Sequence, residues 1–495
     1  MFSNKLNFLM NLCGEKNTEL SNYLQIDPSY ISRLRAGTRQ LTKNHDYLKR
    51  MGEFFAEKEY SSYQILLLKN SINKGISWPS DKKEQAELLY QFLADNSADD
   101  IEKLFISLSE KDECFEKDEE DYIPPALPNK FTLNRYYFGT DGKKEAVLDF
   151  IKKVVASGKP REIYLYSDDE ELWITGEDDF FENFIFLAVK AAEFGCTYTL
   201  IHQVNQPSEK LFKYAYNWLP LYITGKVRPL YFPENDQSIV KKTELIARDL
   251  CAVVSNAMYN NNDPSMLTFA IEDTVAINSL LKDFKVFTSD CKPLMSISQI
   301  HDLKNFKTAL KRFNKPIADS ISRSHYCSVF SLNKLDIIDI TDRIREPKLI
   351  KIWESYVRGI KKTLEENTFT EIITLLDPAS LRNNDESLSL EFEGENIEFP
   401  ISVDIYLRHL RRIIKNLKKF DNYNVRLTFS EHKSVVIHTK RDEATCIFKG
   451  NKPTCMFTFT DPYVNKHVWK FLEGERENTP KKDVIKAIEE YMDLF

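Results

Sequence analysis

Glycine is scarce in this chain, and long apolar runs are missing. Only 14 of the 495 residues are glycine, and neither of the phosphate-binding patterns GxGxxG and GxxxxGK(S/T) occurs. Such patterns bring backbone amides close to phosphate groups, so their absence argues against a nucleotide site of that type. No apolar run approaches the length of a membrane-spanning helix, and the first residues lack the pattern of a secretion signal. We therefore expect a soluble, cytoplasmic protein.

The cysteine and histidine signatures of metal centres are also absent from the sequence. The eight cysteines are scattered without CxxC spacing, and most lie in apolar stretches, as buried thiols of a reducing compartment do. The histidines show no HExxH or related spacing. We accordingly predict no metal site and no cofactor, and we find no complete catalytic motif that would identify an enzyme.

Length and charge indicate several domains with different partners. A chain of 495 residues with 42% hydrophobic residues is expected to form about three globular domains. Residues 1–50 hold eight Lys or Arg and four acidic residues, a charge of +4. Because the whole chain carries −7, the other 445 residues carry −11. A basic N-terminus on an acidic body is typical of a protein that touches nucleic acid only through that terminus.

One stretch near the N-terminus carries the signals of two short helices joined by a tight turn. Asp27 is a natural N-cap, and Pro28 is tolerated at the first helical position. Gly37 suits the left-handed residue that follows a helix. Apolar residues recur at helical spacing on both sides of the turn, at Leu20, Leu24, Ile31 and Leu34. We therefore predict helices over 17–24 and 28–36, an arrangement typical of a helix-turn-helix.

This stretch resembles the helix-turn-helix domain of Cro and phage repressors over about residues 3–58. The family usually has glycine in the turn, where this chain has Gln25. The resemblance implies that helix 28–36 lies in the major groove of DNA. An ordinary helical hairpin is the alternative. The matching residues are Ser21, Ile26, Ile31, Leu34, Ala36 and Gly37.

Three side chains of the second helix are the candidates for reading bases. Ser29, Tyr30 and Arg33 point away from the apolar face of the predicted helix. Arg33 has the donor geometry to bond a guanine through two hydrogen bonds. We predict that these three residues meet base edges.

Four further residues suit contacts with the DNA backbone. Asn17 and Thr18 lie at a predicted helix N-terminus, and Arg39 and Lys43 lie beyond the recognition helix. Arg35 is expected to be a solvated charge. Because proteins of this kind bind two half-sites as symmetric dimers, double-stranded DNA and a second copy of the chain are the expected partners.

The remainder of the chain divides at an acidic segment. Residues 110–121 hold eight acidic residues and two lysines, and the proline-containing residues 122–128 do not suit a continuous helix. Beyond them strands alternate with helices, which predicts an α/β layer with a mainly parallel sheet. We predict a helix-turn-helix head at 1–58, a helical extension or dimerisation neck at 59–109, a linker at 110–130, a first α/β half at 131–300, a connector at 301–350 and a second α/β half at 351–495.

The two α/β halves show signs of duplication. Residues 268–273 and 456–461 each combine alternating apolar residues with a final Asp, and a helical pattern follows each. We therefore expect a multidomain protein with an all-α helix-turn-helix head and an α/β body of two duplicated halves. A crevice between related halves is a usual place for a ligand.

The order of elements in the body is weakly similar to the phospholipase-D-like fold, whose active halves carry His-x-Lys-x4-Asp. His438 and Lys440 supply the His-x-Lys part on a predicted strand. Thr445 occupies the Asp position, and Asp442 comes three residues too early. The first half has no counterpart, so the resemblance implies a degenerate, non-catalytic sensor. An exposed strand end is the simpler explanation of these residues.

Two further features have a simple structural explanation. Aspartates follow the predicted strands at Asp168, Asp169, Asp273, Asp377 and Asp461, and such residues more often cap the next helix than bind a ligand. The predicted helix 403–420 carries cations along one side, which are expected to be a solvated face unless an anionic effector, residues 110–121 or DNA binds there.

These observations favour a sequence-specific, DNA-binding transcriptional regulator that acts as a homodimer. Its body would sense a small-molecule or protein effector, or mediate assembly. The alternative is an enzyme, such as a defence-associated nuclease or phosphoesterase that carries the helix-turn-helix as a targeting module. In a third hypothesis the body is only an oligomerisation scaffold.

Overall fold

The computed structural model groups the chain into two compact units. The first comprises Met1–Ser109, Leu310–Thr454 and Asn465–Phe495, and the second comprises Glu110–Ala309 and Cys455–Val464. The described residues are 2–39, 45–72, 78–95, 100–109, 134–167, 179–203, 217–232, 240–258, 266–300, 302–324, 327–344, 347–383, 386–392, 395–428, 435–450, 454–474 and 479–495. None of the helices found among them is long and apolar enough to cross a membrane.

Helices follow one another in the N-terminal part of the first unit. They are α1 (Phe2–Cys13), α2 (Asn17–Leu24), α3 (Pro28–Arg35), α4 (His45–Ala56), α5 (Ser62–Ser71), α6 (Lys82–Ala94) and α7 (Asp100–Ser109). The carboxylate of Asp27 accepts a hydrogen bond from the backbone N–H of Ser29 and so begins α3. Gly37 follows that helix with a left-handed φ of +72°. The two helices predicted for the helix-turn-helix are therefore present as α2 and α3.

The second unit is built around one sheet. Up to Gln299 its described elements are β1 (Asn134–Phe138), α8 (Gly139–Ser157), β2 (Glu162–Ser167), α9 (Phe180–Glu193), β3 (Thr197–Gln203), β4 (Val227–Phe232), β5 (Val240–Ala247), β6 (Cys251–Met258), β7 (Leu267–Ile271), α10 (Thr274–Asp290), β8 (Lys292–Pro293) and β9 (Ser296–Gln299). The strands β1 to β8 lie in the order β1-β7-β6-β5-β2-β3-β4-β8.

A second set of helices and strands follows between residues 303 and 492. They are α11 (Leu303–Asn314), β10 (Ser320–Ser324), α12 (Lys334–Ile344), α13 (Lys348–Glu366), β11 (Phe369–Thr374), α14 (Pro378–Arg382), β12 (Ser387–Phe392), β13 (Glu395–Pro400), α15 (Val403–Lys419), β14 (Tyr423–Thr428), β15 (Val435–Lys440), β16 (Ala444–Lys449), β17 (Cys455–Phe459), α16 (Pro462–Glu473) and α17 (Lys481–Met492). In the first unit the strands lie in the order β14-β11-β10-β15-β16, and in the second unit β9 pairs with β17.

Both sheets are mixed, which corrects the prediction of a mainly parallel sheet. Strands β2, β3 and β4 are parallel, but β5, β6, β7 and β1 add to the sheet in antiparallel pairs. The same holds for the parallel set β10, β11 and β14 and the antiparallel strands β15 and β16. The reason lies in the connections, because tight turns join β5 to β6 and β15 to β16. A parallel pair needs a longer crossover.

The two sets of strands repeat one order of pairing, down to a shared turn. Asp249 and Asp442 each adopt a left-handed conformation in the turn, with φ values of +59° and +58°. Each follows an arginine whose backbone N–H donates to a carbonyl at the start of the first parallel strand. Arg248 donates to Glu162, the first residue of β2, and Arg441 donates to Asp319, the residue before β10. The repeat includes β10, which lies within the segment 301–350 that we predicted to be a connector.

The N-terminal helices and the later α/β elements share one hydrophobic cluster in the first unit. Helix α5 connects the two. Its Asn70 side chain donates to the carbonyl of Leu427 on β14 at 2.6 Å, and the ring of Tyr63 packs edge-on against Tyr491 of α17. Each fully buried leucine in such a cluster contributes roughly 1.5–3 kcal/mol. Helices α2 and α3 are thus part of the same hydrophobic cluster as the later α/β elements.

Candidate functional site

Helix α3 is held against α2 by a small apolar core. Leu20, Leu24, Ile31 and Leu34 are all buried, as the helical spacing predicted. Ser21 is fully buried at 0% exposure, and its hydroxyl donates to the carbonyl of Thr18 at 2.9 Å. The small, satisfied side chain at this position lets the two helices approach closely.

The turn between the two helices tolerates a residue other than glycine. Gln25 adopts the left-handed conformation, with φ 57° and ψ 45°. Its backbone N–H donates to the carbonyl of Asn22, and the N–H of Ile26 donates to that of Ser21, which closes the end of α2. The left-handed backbone at a non-glycine residue costs roughly 1–2 kcal/mol. The chain therefore forms this left-handed turn without a glycine, at a cost in energy.

The outward face of α3 carries the residues predicted to read bases. Ser29 and Arg33 are exposed, and the Arg33 guanidinium lies against Ser29, with Nε 3.3 Å from its carbonyl oxygen. Tyr30 is half-buried, and the guanidinium of exposed Arg39 lies 4.5 Å from the centre of its ring. The four side chains therefore form one polar, cationic surface beside the N-terminus of a capped helix.

Arg35, expected to be a solvated charge, instead joins α3 to two other helices. Its guanidinium donates to the side-chain oxygens of Asn7 at 2.7 Å, Asn17 at 2.6 Å and Asn11 at 3.0 Å. The amide of Asn7 returns a hydrogen bond to the carbonyl of Arg35 at 2.8 Å. Partial burial lowers the pKa of Arg35, while the charge of Asp377 opposes that shift. We call these four residues the Arg35 clasp.

The clasp bears on the predicted phosphate contacts. The side-chain oxygen of Asn17 is occupied by Arg35, which leaves its amide nitrogen as the group that suits a phosphate. Thr18 is exposed beside it at the N-terminal end of α2. Lys43 lies outside the described residues. The sequence offers no signal for the clasp, because its asparagines are spread over two other helices.

A buried polar cluster lies on one face of the sheet in the first unit. Ser322 on β10 is the cross-strand neighbour of both Glu371 on β11 and His438 on β15, so the three side chains share a face. The turn shared by the two repeats aligns these positions with residues of the second unit's sheet. The aligned residues are all apolar: Leu165, Leu200 and Leu245. These leucines line a small cavity in the second unit together with Phe184 and Trp218.

Glu371 is the buried acid of this cluster. It is 2% exposed, and it accepts hydrogen bonds from the hydroxyls of Ser328 and Tyr423. Burial raises the pKa of Glu371 to about 7, against the smaller opposing effect of the two hydroxyls. The backbone N–H of Ser328 also donates to Nε2 of His409 at 2.8 Å, so α15 is tied to the same network.

His438 and Lys440 are buried, which corrects the expectation of an exposed strand end. They are 3% and 2% exposed. Nδ1 of His438 lies 2.9 Å from the hydroxyl of Tyr356, and Lys440 donates to the carbonyl of Pro316 at 2.7 Å. Burial lowers the pKa of His438 well below its ordinary value and that of Lys440 to about 8. Nε2 of His438 is buried without a hydrogen-bond partner among the described residues.

No aspartate of a His-x-Lys-x4-Asp site lies next to His438 and Lys440 among the described residues. Thr445 bonds Thr439 at 2.9 Å, and Thr439 points to the sheet face opposite to His438 and Lys440. Asp442 occupies the tight turn. The aligned positions of the second unit's sheet hold Leu245 and Ala247. Among the described residues no group of three His, Cys, Asp or Glu side chains is placed to hold a metal ion.

The aspartates at strand ends act as helix caps, as predicted. Asp273 accepts from the backbone N–H of Ala276, and Asp377 from that of Ser380. Asp461 likewise accepts from the N–H of Val464 at 3.1 Å. Asp168 and Asp169 lie outside the described residues.

No protein-family model matches the chain, and no curated protein matches it in sequence. Among solved structures, an archaeal chromatin protein, TrmBL2, shares 13% identity over 34% of this chain and 56% of its own, with a TM-score of 0.25. A polyphosphate kinase from Porphyromonas gingivalis shares 10% over 73% of this chain and 56% of its own, at 0.24. A yeast tyrosyl-DNA phosphodiesterase mutant shares 8% identity over 67% of this chain and 91% of its own, with a TM-score of 0.18. This chain thus spans little more than half the length of the first two. Likenesses this weak assign neither fold nor function.

Proposed function

We propose that the chain is a sequence-specific, DNA-binding transcriptional regulator that acts in the cytoplasm as a homodimer. The observation that carries the proposal is the outward face of α3. There Ser29 and Arg33 are exposed beside a capped helix N-terminus, while the opposite face of the helix is buried in a core. This is the arrangement that a recognition helix needs to enter a major groove.

Each element of the proposed interface has a distinct task. Arg33 and Ser29 meet base edges, where arginine prefers guanine. Arg39, stacked on Tyr30, and the N-terminus of α2 with Thr18 contact phosphates. The Arg35 clasp fixes the angle of α3 to the helices beneath it, so the bases are read from a rigid surface.

The α/β body is the proposed sensor or assembly module, built from two duplicated halves. Helix α5 is the route by which it influences the helix-turn-helix, because α5 bonds β14 through Asn70 and packs on α17 through Tyr63. An effector that prefers one arrangement of the body would change the population of DNA-competent dimers. Tyr423 of β14 donates a hydrogen bond to Glu371, and α5 bonds the same strand through Asn70. A change in the buried network of Glu371 could therefore reach α5 through β14.

The first experiment compares binding of the whole protein to its own promoter region and to unrelated DNA at two salt concentrations. A preference for the promoter that persists at the higher salt supports the regulator, because base contacts are less sensitive to salt than phosphate contacts. Equal binding to both duplexes, lost at the higher salt, contradicts it.

A phosphoesterase is the second candidate, and one observation favours it. His438 has a buried ring nitrogen without a partner among the described residues, and it shares a sheet face with Lys440 and, across β10, with the buried acid Glu371. The test is hydrolysis of a chromogenic phosphodiester by the wild type and by His438→Asn. Turnover that disappears in the variant would establish an enzyme. Absence of turnover in the wild type would leave the regulator as the better proposal.

A further inference from the structure

Helices α13 and α15 and the C-terminal end of α11 cover the same face of the sheet in the first unit. Helix α13 reaches that face through Tyr356, which contacts His438, and α15 through His409, which joins the network of Glu371. The end of α11 lies there as well, since Phe313 packs edge-on against His438 with ring centres 4.9 Å apart. The outward surfaces of these helices form one layer, which we call the helix layer.

Helix α15 presents a basic row on its outward side from Arg408 to Lys419, after an exposed Asp404 in its first turn. Arg411, Arg412, Lys415, Lys418 and Lys419 are all exposed, and they recur at the three- and four-residue spacing of one helix side. Lys418 lies 3.8 Å from Glu489, but none of the described carboxylates is within ion-pair distance of Arg411, Arg412 or Lys415. Arg408, at the N-terminal end of the row, is neutralised by Asp336 at 2.9 Å.

The neighbouring helices extend the basic surface. On α13 the exposed cations are Lys348, Lys351, Arg358, Lys361 and Lys362, against exposed Glu365 and Glu366 at its end. Glu354, the half-buried acid between them, is already paired with Lys334 at 2.9 Å. At the end of α11, Lys311, Arg312 and Lys315 are exposed. So many cations on one layer stand out in a chain whose net charge is −7.

The repeat supplies an internal comparison. In the second unit, α8 precedes β2 as α11 precedes β10, and α9 lies between β2 and β3 as α13 lies between β10 and β11. Their sequences, GTDGKKEAVLDFIKKVVAS and FFENFIFLAVKAAE, mix acidic and basic residues. The mixed surfaces of α8 and α9 indicate that the sheet-covering role of α11 and α13 does not require their cations.

We propose that the helix layer binds the phosphate backbone of double-stranded DNA without regard to sequence, as a second contact beside the recognition helix. Like charges packed along one helix repel each other, which destabilises the helix unless a partner neutralises them. The adjacent Arg411 and Arg412 suit a phosphate ligand, because a planar guanidinium can bind two phosphate oxygens through two hydrogen bonds. The 17 residues of α15 span about 26 Å, which is most of one turn of a duplex.

The test removes three charges from the row in the full-length protein, as Arg411→Gln, Arg412→Gln and Lys415→Gln together. Binding to a labelled unrelated duplex of about 30 base pairs, three helical turns, is measured by fluorescence anisotropy over a series of salt concentrations. Each lost phosphate contact lowers the slope of log K against log salt by about 0.9, so we expect a decrease of up to about 2.7 and weaker binding at low salt. Lys351→Gln with Lys361→Gln and Lys362→Gln is a second variant of the same layer.

The matched control removes the same charge from the other unit, as Lys226→Gln, Lys282→Gln and Lys285→Gln, which are all exposed. If both layer variants keep the slope and affinity of this control, the proposal is overturned. It is also overturned if the layer variants lose binding to vesicles of phosphatidylserine and phosphatidylcholine while binding DNA like the control.

DNA binding by the helix layer rests on the proposed function only for the identity of its ligand, double-stranded DNA. The regulator hypothesis and the helix-layer hypothesis can therefore be refuted by different measurements. Ser29→Ala with Arg33→Ala should abolish preference for the promoter and leave the slope on unrelated duplex almost unchanged. If the wild type shows no such preference, the regulator is refuted, whereas the unrelated duplex still decides on the helix layer.

Discussion

Replacing Arg35 by methionine should destabilise the first unit although the side chain is neither fully buried nor part of the predicted DNA contacts. The guanidinium makes three side-chain hydrogen bonds to asparagines of α1 and α2. Methionine keeps most of the apolar stem and removes every donor. The amide oxygens of Asn7 and Asn17 then lose their partner in a half-buried site.

The magnitude follows from the individual contacts. Hydrogen bonds to a charged group contribute roughly 1.5–3 kcal/mol each when shielded from water. The bond to Asn11 is solvent-exposed and contributes little, and water competes partly with the other two. We take about 1 kcal/mol for each of those two, which predicts a loss of about 2 kcal/mol.

Urea unfolding of the whole protein measures the loss, with the first transition followed by circular dichroism. With a slope of about 2 kcal/mol per molar, the midpoint should fall by about 1 M. Arg33→Met is the matched control, because it makes the same change two residues earlier on the exposed side of α3. We expect less than about 0.5 kcal/mol from it. Equal midpoints for the two variants would refute the clasp as a stabilising contact.

Three further outcomes follow from the same structure. Arg33→Ala should lower preference at one base pair by about 1–3 kcal/mol in a binding assay with single-base operator variants, and a uniform loss on all DNA would identify a phosphate contact instead. Gln25→Gly should raise the free energy of unfolding by about 0.5–1 kcal/mol in urea, because glycine relieves the left-handed strain at some entropic cost, whereas an unchanged midpoint would show that the turn is unstrained. The pKa of Glu371 is raised to about 7 in the fold, so the native state holds its proton where the unfolded chain does not. Its stabilising contribution is therefore complete below about pH 4.5 and is lost as the pH rises towards 7, on the order of 3 kcal/mol in all. Glu371→Gln should flatten this part of the stability profile, and an unchanged profile would contradict the raised pKa.

The sequence by itself determined the elements whose causes are local. Asp27, Pro28 and Gly37 delimit α3 through contacts within a few residues, and the two predicted helices begin and end within one residue of the observed ones. Strand-end aspartates such as Asp273 cap the next helix for the same reason. A cap needs only its own neighbours, so the pattern is complete in a short window of sequence.

Only the tertiary structure decided which residues lie inside and which strands are neighbours. Ser320–Ser324 contains three serines, yet it forms a central strand because β11 and β15 supply partners from far along the chain. Burial of His438 and the Arg35 clasp likewise depend on residues brought from other elements. Hydrogen-bond satisfaction and exclusion of water are properties of the assembled chain, so no local pattern of residue types could specify these contacts.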